Sequence, residues 1–165
     1  MALRRLLILL ALGLVLLFLV PAAAGFCRVI FPAAAVSAAN LGIPLPAPWA
    51  TTGVVLTAEF IMTFLLMTAI FGTAVDERGQ AVKIGGFGIG LTVAFDILAG
   101  GAVTGASMNP ARSFGPALEM NYWAFHWMYW VAPISGAVVA ALMYDNLLMV
   151  KSKDSGLESA KGPRG

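Results

Sequence analysis

The chain has 165 residues, 60% of them apolar and only 11% charged, with a mean hydropathy of +0.89. A soluble domain of this size carries about 25% charged residues, so the composition is that of an integral membrane protein. A net charge of +2 with no basic patch among stacking aromatics argues against a nucleic-acid partner, and the lone Cys27 excludes an intrachain disulfide or a cysteine zinc site.

Residues 1–31 read as a first apolar unit, with Arg4 and Arg5 ahead of a run from Leu6 to Ala24 that continues towards Phe31. Two readings stand: a retained helix bent near Pro21, or a signal-like segment cleaved after Ala22-Ala23-Ala24. Either leaves residues 32–53, rich in Pro and Ala and uncharged, as an outer loop. Residues 54–150 contain three further runs near the ~20 residues a helical span needs, at 54–74, 84–99 and 127–150. "VDERGQAVK" joins the first two and predicts a turn at Arg78-Gly79, and the polar residues 151–165 predict a disordered tail. Basic residues favour the cytoplasmic side. Arg4, Arg5, Arg78, Lys83 and the tail then all face inward, with both termini cytoplasmic. Tyr122, Trp123, Phe125, Trp127, Tyr129 and Trp130 form an aromatic belt at the opposite face, and Arg28 anchors at the headgroups there. Short loops suit a bacterial inner membrane.

Residues 100–119 interrupt this order. "AGGAVTGAS", from Ala99 to Ser107, predicts irregular backbone, tolerated at membrane depth only where protein buries it or a cavity is lined. Asn109 is an N-cap and Pro110 fits the first helical position, so a helix starts there and runs to about Glu119. About ten residues make roughly 15 Å, half the hydrocarbon core. The stretch predicts a re-entrant half-helix with its positive N-terminal end in the membrane. There the Asn109 carboxamide offers N–H to a passing solute and the permanently charged Arg112 repels cations. The fold class is all-α membrane, with about four transmembrane helices and one re-entrant half-helix.

Ionisable groups inside spans are functional by default. Glu59 is expected to brace buried backbone N–H groups, and Asp96 to make a loop-stabilising hydrogen bond. Gly86-x-x-x-Gly90 and Gly136-x-x-x-Ala140 predict close helix packing. A remote alternative is an intramembrane hydrolase with Ser107 as nucleophile and His126, the single histidine, as base. Nothing calls for a catalytic residue, a metal or another cofactor.

"GGAVTGASMNPARSFGPAL", "TAEFIMTFLLMTAIFGTAVDERG" and "NYWAFHWMYWVAPISGAVVAALMYDNLL" resemble the second Asn-Pro-Ala loop, the fourth helix and the sixth helix of the aquaporin, or major intrinsic protein, family. The resemblance covers the C-terminal half of that fold, and no first Asn-Pro-Ala repeat is present. It implies a passive water channel, a lipid bilayer around it, and assembly as a homo-oligomer (a tetramer in the family) or with a complementary half. Asn109, Pro110, Ala111 and Arg112 match the pore motif and constriction arginine. Ile97 and Ala106 match further constriction sites. Aliphatic Ile97 resembles tonoplast-type members and implies passage of ammonia or other small neutral solutes. Ser113, Ala117, Tyr129 and Trp130 match the water-channel type, and Glu59 resembles a loop-bracing glutamate. With half of the pore wall missing, the alternative is a truncated, nonconducting fragment that needs a first-half partner.

Overall fold

The computed structural model describes Leu19 and residues 21–148, which are helices and connectors without a strand. The greater part of the first apolar run, with the signal-like residues 1–18 and the tail 151–165, lies outside the described residues.

Of the first run, α1 spans Pro21–Ile30. The stretch expected as a loop over 32–53 instead contains α2, Ala33–Ala39, followed by a 3-10 turn, Asn40–Gly42. Alanine is the strongest helix former, and the run ends where Asn40 turns left-handed at φ 46°. The rest of the loop is pinned by Ala47, whose N–H donates to the Val103 carbonyl at 2.9 Å.

Among the described residues, three helices are long and apolar enough to cross a membrane. The first is α3, Thr52–Ile70, capped by the Thr51 hydroxyl and prolonged by a π-helical turn, Phe71–Val75. The second is α5, Gly85–Thr104, and the third is α7, Met128–Met143, prolonged by a second π-helical turn, Tyr144–Leu148. Their mean hydropathies reach 2.2, 1.7 and 1.5, high enough for lipid on every outward face. Exposed Phe87, Leu98, Val138 and Leu142 are therefore lipid-compatible surface.

Two sequence expectations fail here. The turn placed at Arg78-Gly79 is helical, inside α4, Glu77–Val82, and the chain reverses one residue later at Lys83, φ 58°. Asp76 is the cause: its carboxylate caps α4 by accepting from the Arg78 N–H at 2.9 Å. Gly79 then lies so close to the π turn that a Cβ would collide with the Gly72 carbonyl. The irregular backbone expected from Ala99 also starts later. Gly100 and Gly101 remain helical, and only Gly105–Asn109 leave the helix. Inside lipid, each unpaired peptide group costs several kcal/mol, which outweighs the ~1 kcal/mol helix penalty of a glycine.

The helix α3 is the hub, packing on α7 and on α5. Gly136 of α7 meets the Phe60 carbonyl of α3, where no side chain would fit, as the Gly136-x-x-x-Ala140 spacing predicts. Gly100 of α5 admits the Met62 thioether in the same way. Gly86 and Gly90 face nothing within 4 Å among the described residues, so their spacing marks no contact there. At the α4 end of the bundle, Phe71 and Tyr144 stack at 5.6 Å, joining the two π turns. Tyr144 donates to Asp76 Oδ2 at 3.1 Å, and Arg78 Nη2 donates both to Asp76 Oδ2 at 2.6 Å and to the Leu148 carbonyl at 2.9 Å. The Arg78 hydrogen bonds hold the Asp76 carboxyl well below the usual carboxylate range.

Candidate functional site: the re-entrant loop

Between α5 and α7 the chain makes a five-residue loop and then α6, Pro110–Met120. Gly105 ends α5 at φ +83°, and a side chain there would strike Pro44. Ala106 and Met108 follow at φ 45° and 54°. Left-handed backbone costs a residue with a Cβ roughly 1–2 kcal/mol, so the loop needs support.

The support comes from α3. Glu59 has no exposed surface, and its carboxylate points under the loop. Oε1 accepts from the Thr104 hydroxyl at 2.6 Å and from the Ser107 N–H at 2.9 Å, and Oε2 accepts from the Met108 N–H at 2.7 Å. Thr104 Oγ1 in turn accepts from the Ala106 N–H at 3.1 Å, and the Tyr129 hydroxyl donates to the Thr104 carbonyl at 2.6 Å. One side chain on each of three helices thus holds the loop, with its buried peptide N–H groups paired.

Asn109, at φ −153° and ψ 118°, is the N-cap of α6, and its Oδ1 accepts from the Ala111 N–H at 2.9 Å. Pro110 occupies the first turn. Behind the cap, Ser107 Oγ donates to the Asn109 carbonyl at 2.9 Å and pairs with Ser113 Oγ at 2.5 Å. Ala106, Ala111, Ser113 and Ala117 are buried. Asn109 Nδ2 and the Arg112 guanidinium make no hydrogen bond among the described residues, and Arg112 Nη1 is buried without a partner there. Ile97 lies apart from this network, 47% exposed on α5. The site therefore offers uncommitted donors and the positive end of a helix, with no free nucleophile. It suits the lone pairs of a neutral solute and disfavours cations.

Several expectations change. Asp96 is buried but makes no hydrogen bond among the described residues, and its Oδ2 has no partner. It is on the α5 face that carries Gly100 and Thr104, more than two turns short of the loop. Arg28 is not a free headgroup anchor: Nη2 donates to the Glu119 carbonyl, and Nε is 3.9 Å from the Glu119 carboxylate, tying α1 to the last turn of α6. Tyr129 leaves the aromatic belt for the core at 1% exposure, and Trp130 is half-buried. Ser107 is bonded within the loop while His126 accepts from Trp130, so the two share no hydrogen bond and the hydrolase pairing does not form. Sequence reasoning missed Thr104, whose hydroxyl joins the brace to the loop. A threonine just ahead of a glycine helix stop was the available signal.

Residues 8–144 match the family model described as Major intrinsic protein. Among curated proteins the chain is similar to Aquaporin TIP4-4 of Zea mays, 45% identical over 115 residues, which is 68% of this chain and 46% of that protein. It is similar to Aquaporin TIP1-2 of Zea mays, 52% identical over 88 residues (53% and 35% of the two chains). It is also similar to Aquaporin TIP4-1 of Arabidopsis thaliana, 48% identical over 92 residues (55% and 37%). The match to each of these relatives spans less than half of the relative's length.

Proposed function

The chain belongs to the major intrinsic protein family, and from that premise we propose that it forms one wall of a passive pore for water and small neutral solutes. The supporting observation is the half-helix α6, at whose positive end Asn109 Nδ2 and the Arg112 guanidinium are uncommitted donors above a buried brace. A permeating molecule that donates no net charge pairs with these groups in passing. A cation meets a fixed guanidinium and a positive helix end, which is the established account of ion and proton exclusion in aquaporin-type pores. Asn109, Pro110, Ala111 and Arg112 act as the pore motif. Ile97 narrows the path, and the buried Ala106, with Ser113, Ala117, Tyr129 and Trp130, shapes the wall behind it. These relatives are aquaporins of plants, which gives no support to a bacterial inner membrane.

A second reading follows from the span of the matches. A wall that corresponds to less than half of each relative leaves Ile97 open and Arg112 Nη1 without an acceptor. In this reading the chain conducts only beside a complementary first-half chain. Osmotic shrinkage of proteoliposomes, followed by stopped-flow light scattering, tests both. Shrinkage of the pure chain several-fold faster than empty liposomes, lost in Asn109→Asp, supports a self-sufficient pore. No gain alone, but a gain after co-reconstitution with a first-half chain, supports the partnered pore. No gain in either preparation overturns the channel reading.

A further inference from the structure

The connector between α6 and α7 carries a contact that the pore reading does not use. The Trp130 indole Nε1–H donates to His126 Nε2 at 2.9 Å, so the histidine is an acceptor and holds its own proton on Nδ1. His126 is half-buried, with Trp123 edge-on at 5.1 Å, Trp130 at 6.2 Å and Phe114 of α6 at 6.3 Å between ring centroids. Phe114 also contacts both indoles, at 5.8 Å and 6.4 Å. Four rings thus join the half-helix to the first turn of α7, and the single hydrogen bond between two of them depends on one unprotonated nitrogen.

We propose that His126 is a positioning residue for Trp130 and makes the junction of α6 and α7 sensitive to acid. A proton on Nε2 replaces the acceptor with a second donor. The Trp130 N–H then has no partner and faces a second donor. Relief comes by turning the indole away, which frees Phe114 and so the outer half of α6.

The charged and titratable groups around the site do not oppose this. Phe114, Trp123 and Trp130, which pack the ring from α6, the connector and α7, do not ionise. On α6, Glu119 is paired with Arg28, while Arg112 sits beside the loop. On α7, the Tyr129 hydroxyl is committed to the Thr104 carbonyl, and Tyr122 of the connector is exposed. Burial alone displaces His126, downward from the ordinary histidine value of 6.5. The neutral, bonded form therefore persists at neutral pH and is lost only below the ordinary histidine value.

The test is proton–nitrogen NMR of the indole groups in the full chain, in detergent micelles or nanodiscs, from pH 8 to pH 5. It does not require conduction, so it can fail while the pore reading stands, and the reverse. The expected result is a reversible shift and faster exchange of the Trp130 indole resonance, with one midpoint below 6.5, while Trp49 stays constant. In His126→Gln, which keeps an acceptor and cannot ionise, the pH response disappears. In Trp130→Phe, loss of a bond to the neutral imidazole raises the His126 midpoint by roughly half to one pH unit. An unmoved Trp130 resonance in the wild-type chain, or an equal response in His126→Gln, overturns the proposal.

Discussion

Replacing Glu59 with Leu roughly keeps the volume of the brace and removes both carboxylate acceptors under the loop. Three donors lose their partner: the Thr104 hydroxyl and the Ser107 and Met108 N–H groups. The hydroxyl can turn to the Gly100 carbonyl, already 3.4 Å away, so two peptide N–H groups carry the loss. A buried donor without a partner costs about 1–3 kcal/mol, which makes about 2–6 kcal/mol for the pair. At about 1.4 kcal/mol per factor of ten, the loop opens some 30-fold to more than 10⁴-fold more often. Hydrogen exchange read by mass spectrometry in nanodiscs measures this directly, in a peptide covering residues 105–109. Glu59→Gln retains one carbonyl acceptor and should fall between the two. The exchange must rise in this segment and not in α7, because the α3–α7 seam is held at Gly136 instead. Exchange within three-fold of wild type in Glu59→Leu would refute the bracing argument, as would an equal rise throughout the bundle.

Gly136→Ala should lower the thermal midpoint in detergent more than Gly100→Ala. The first forces a methyl against the Phe60 backbone, whereas the second meets only the flexible Met62 side chain. Tyr129→Phe should cost about 1 kcal/mol in reversible unfolding and loosen the Thr104 carbonyl, with α4 unaffected. The pairing of Asp76 with Arg78 lowers the folded-state carboxyl relative to the unfolded chain. Its stabilisation is complete above the ordinary carboxylate range and is lost only as pH falls through the depressed value. Arg78→Leu should therefore bring the acid limb of a stability-versus-pH curve to higher pH, read by circular dichroism, and an unchanged limb would count against the ion pair.

The helical content and the place of the half-helix were legible because they rest on local chemistry. An Asn-Pro pair between two apolar runs specifies a helix start whatever surrounds it. The end of α5 was misread for the opposite reason. Three glycines suggest an interruption in isolation, but Gly100 is a helical glycine whose missing side chain makes room for Met62, 38 positions earlier, and Gly105 is the real stop. The turn at Arg78-Gly79 failed likewise, since Asp76 caps a helix whose one-sided contact with Gly72 requires a glycine. Glu59 was visible as a buried acid in a span, yet its partners lie 45 to 49 positions away, and Thr104 among them carried no charge to draw notice.

The paired π turns have a consequence for register. Each accommodates one residue more than an α-helical turn, so everything beyond it is rotated by about 100° from where an unbroken helix would put it. That offset brings Asp76 round to Tyr144 on one helix and Leu148 round to Arg78 on the other. A deletion of one residue in the first turn would heal that helix and swing Asp76 away from Tyr144, and one in the second would swing Leu148 away from Arg78. The bundle is thus keyed at this end by a matched pair of insertions, and a change of length in either helix there breaks the contacts between them.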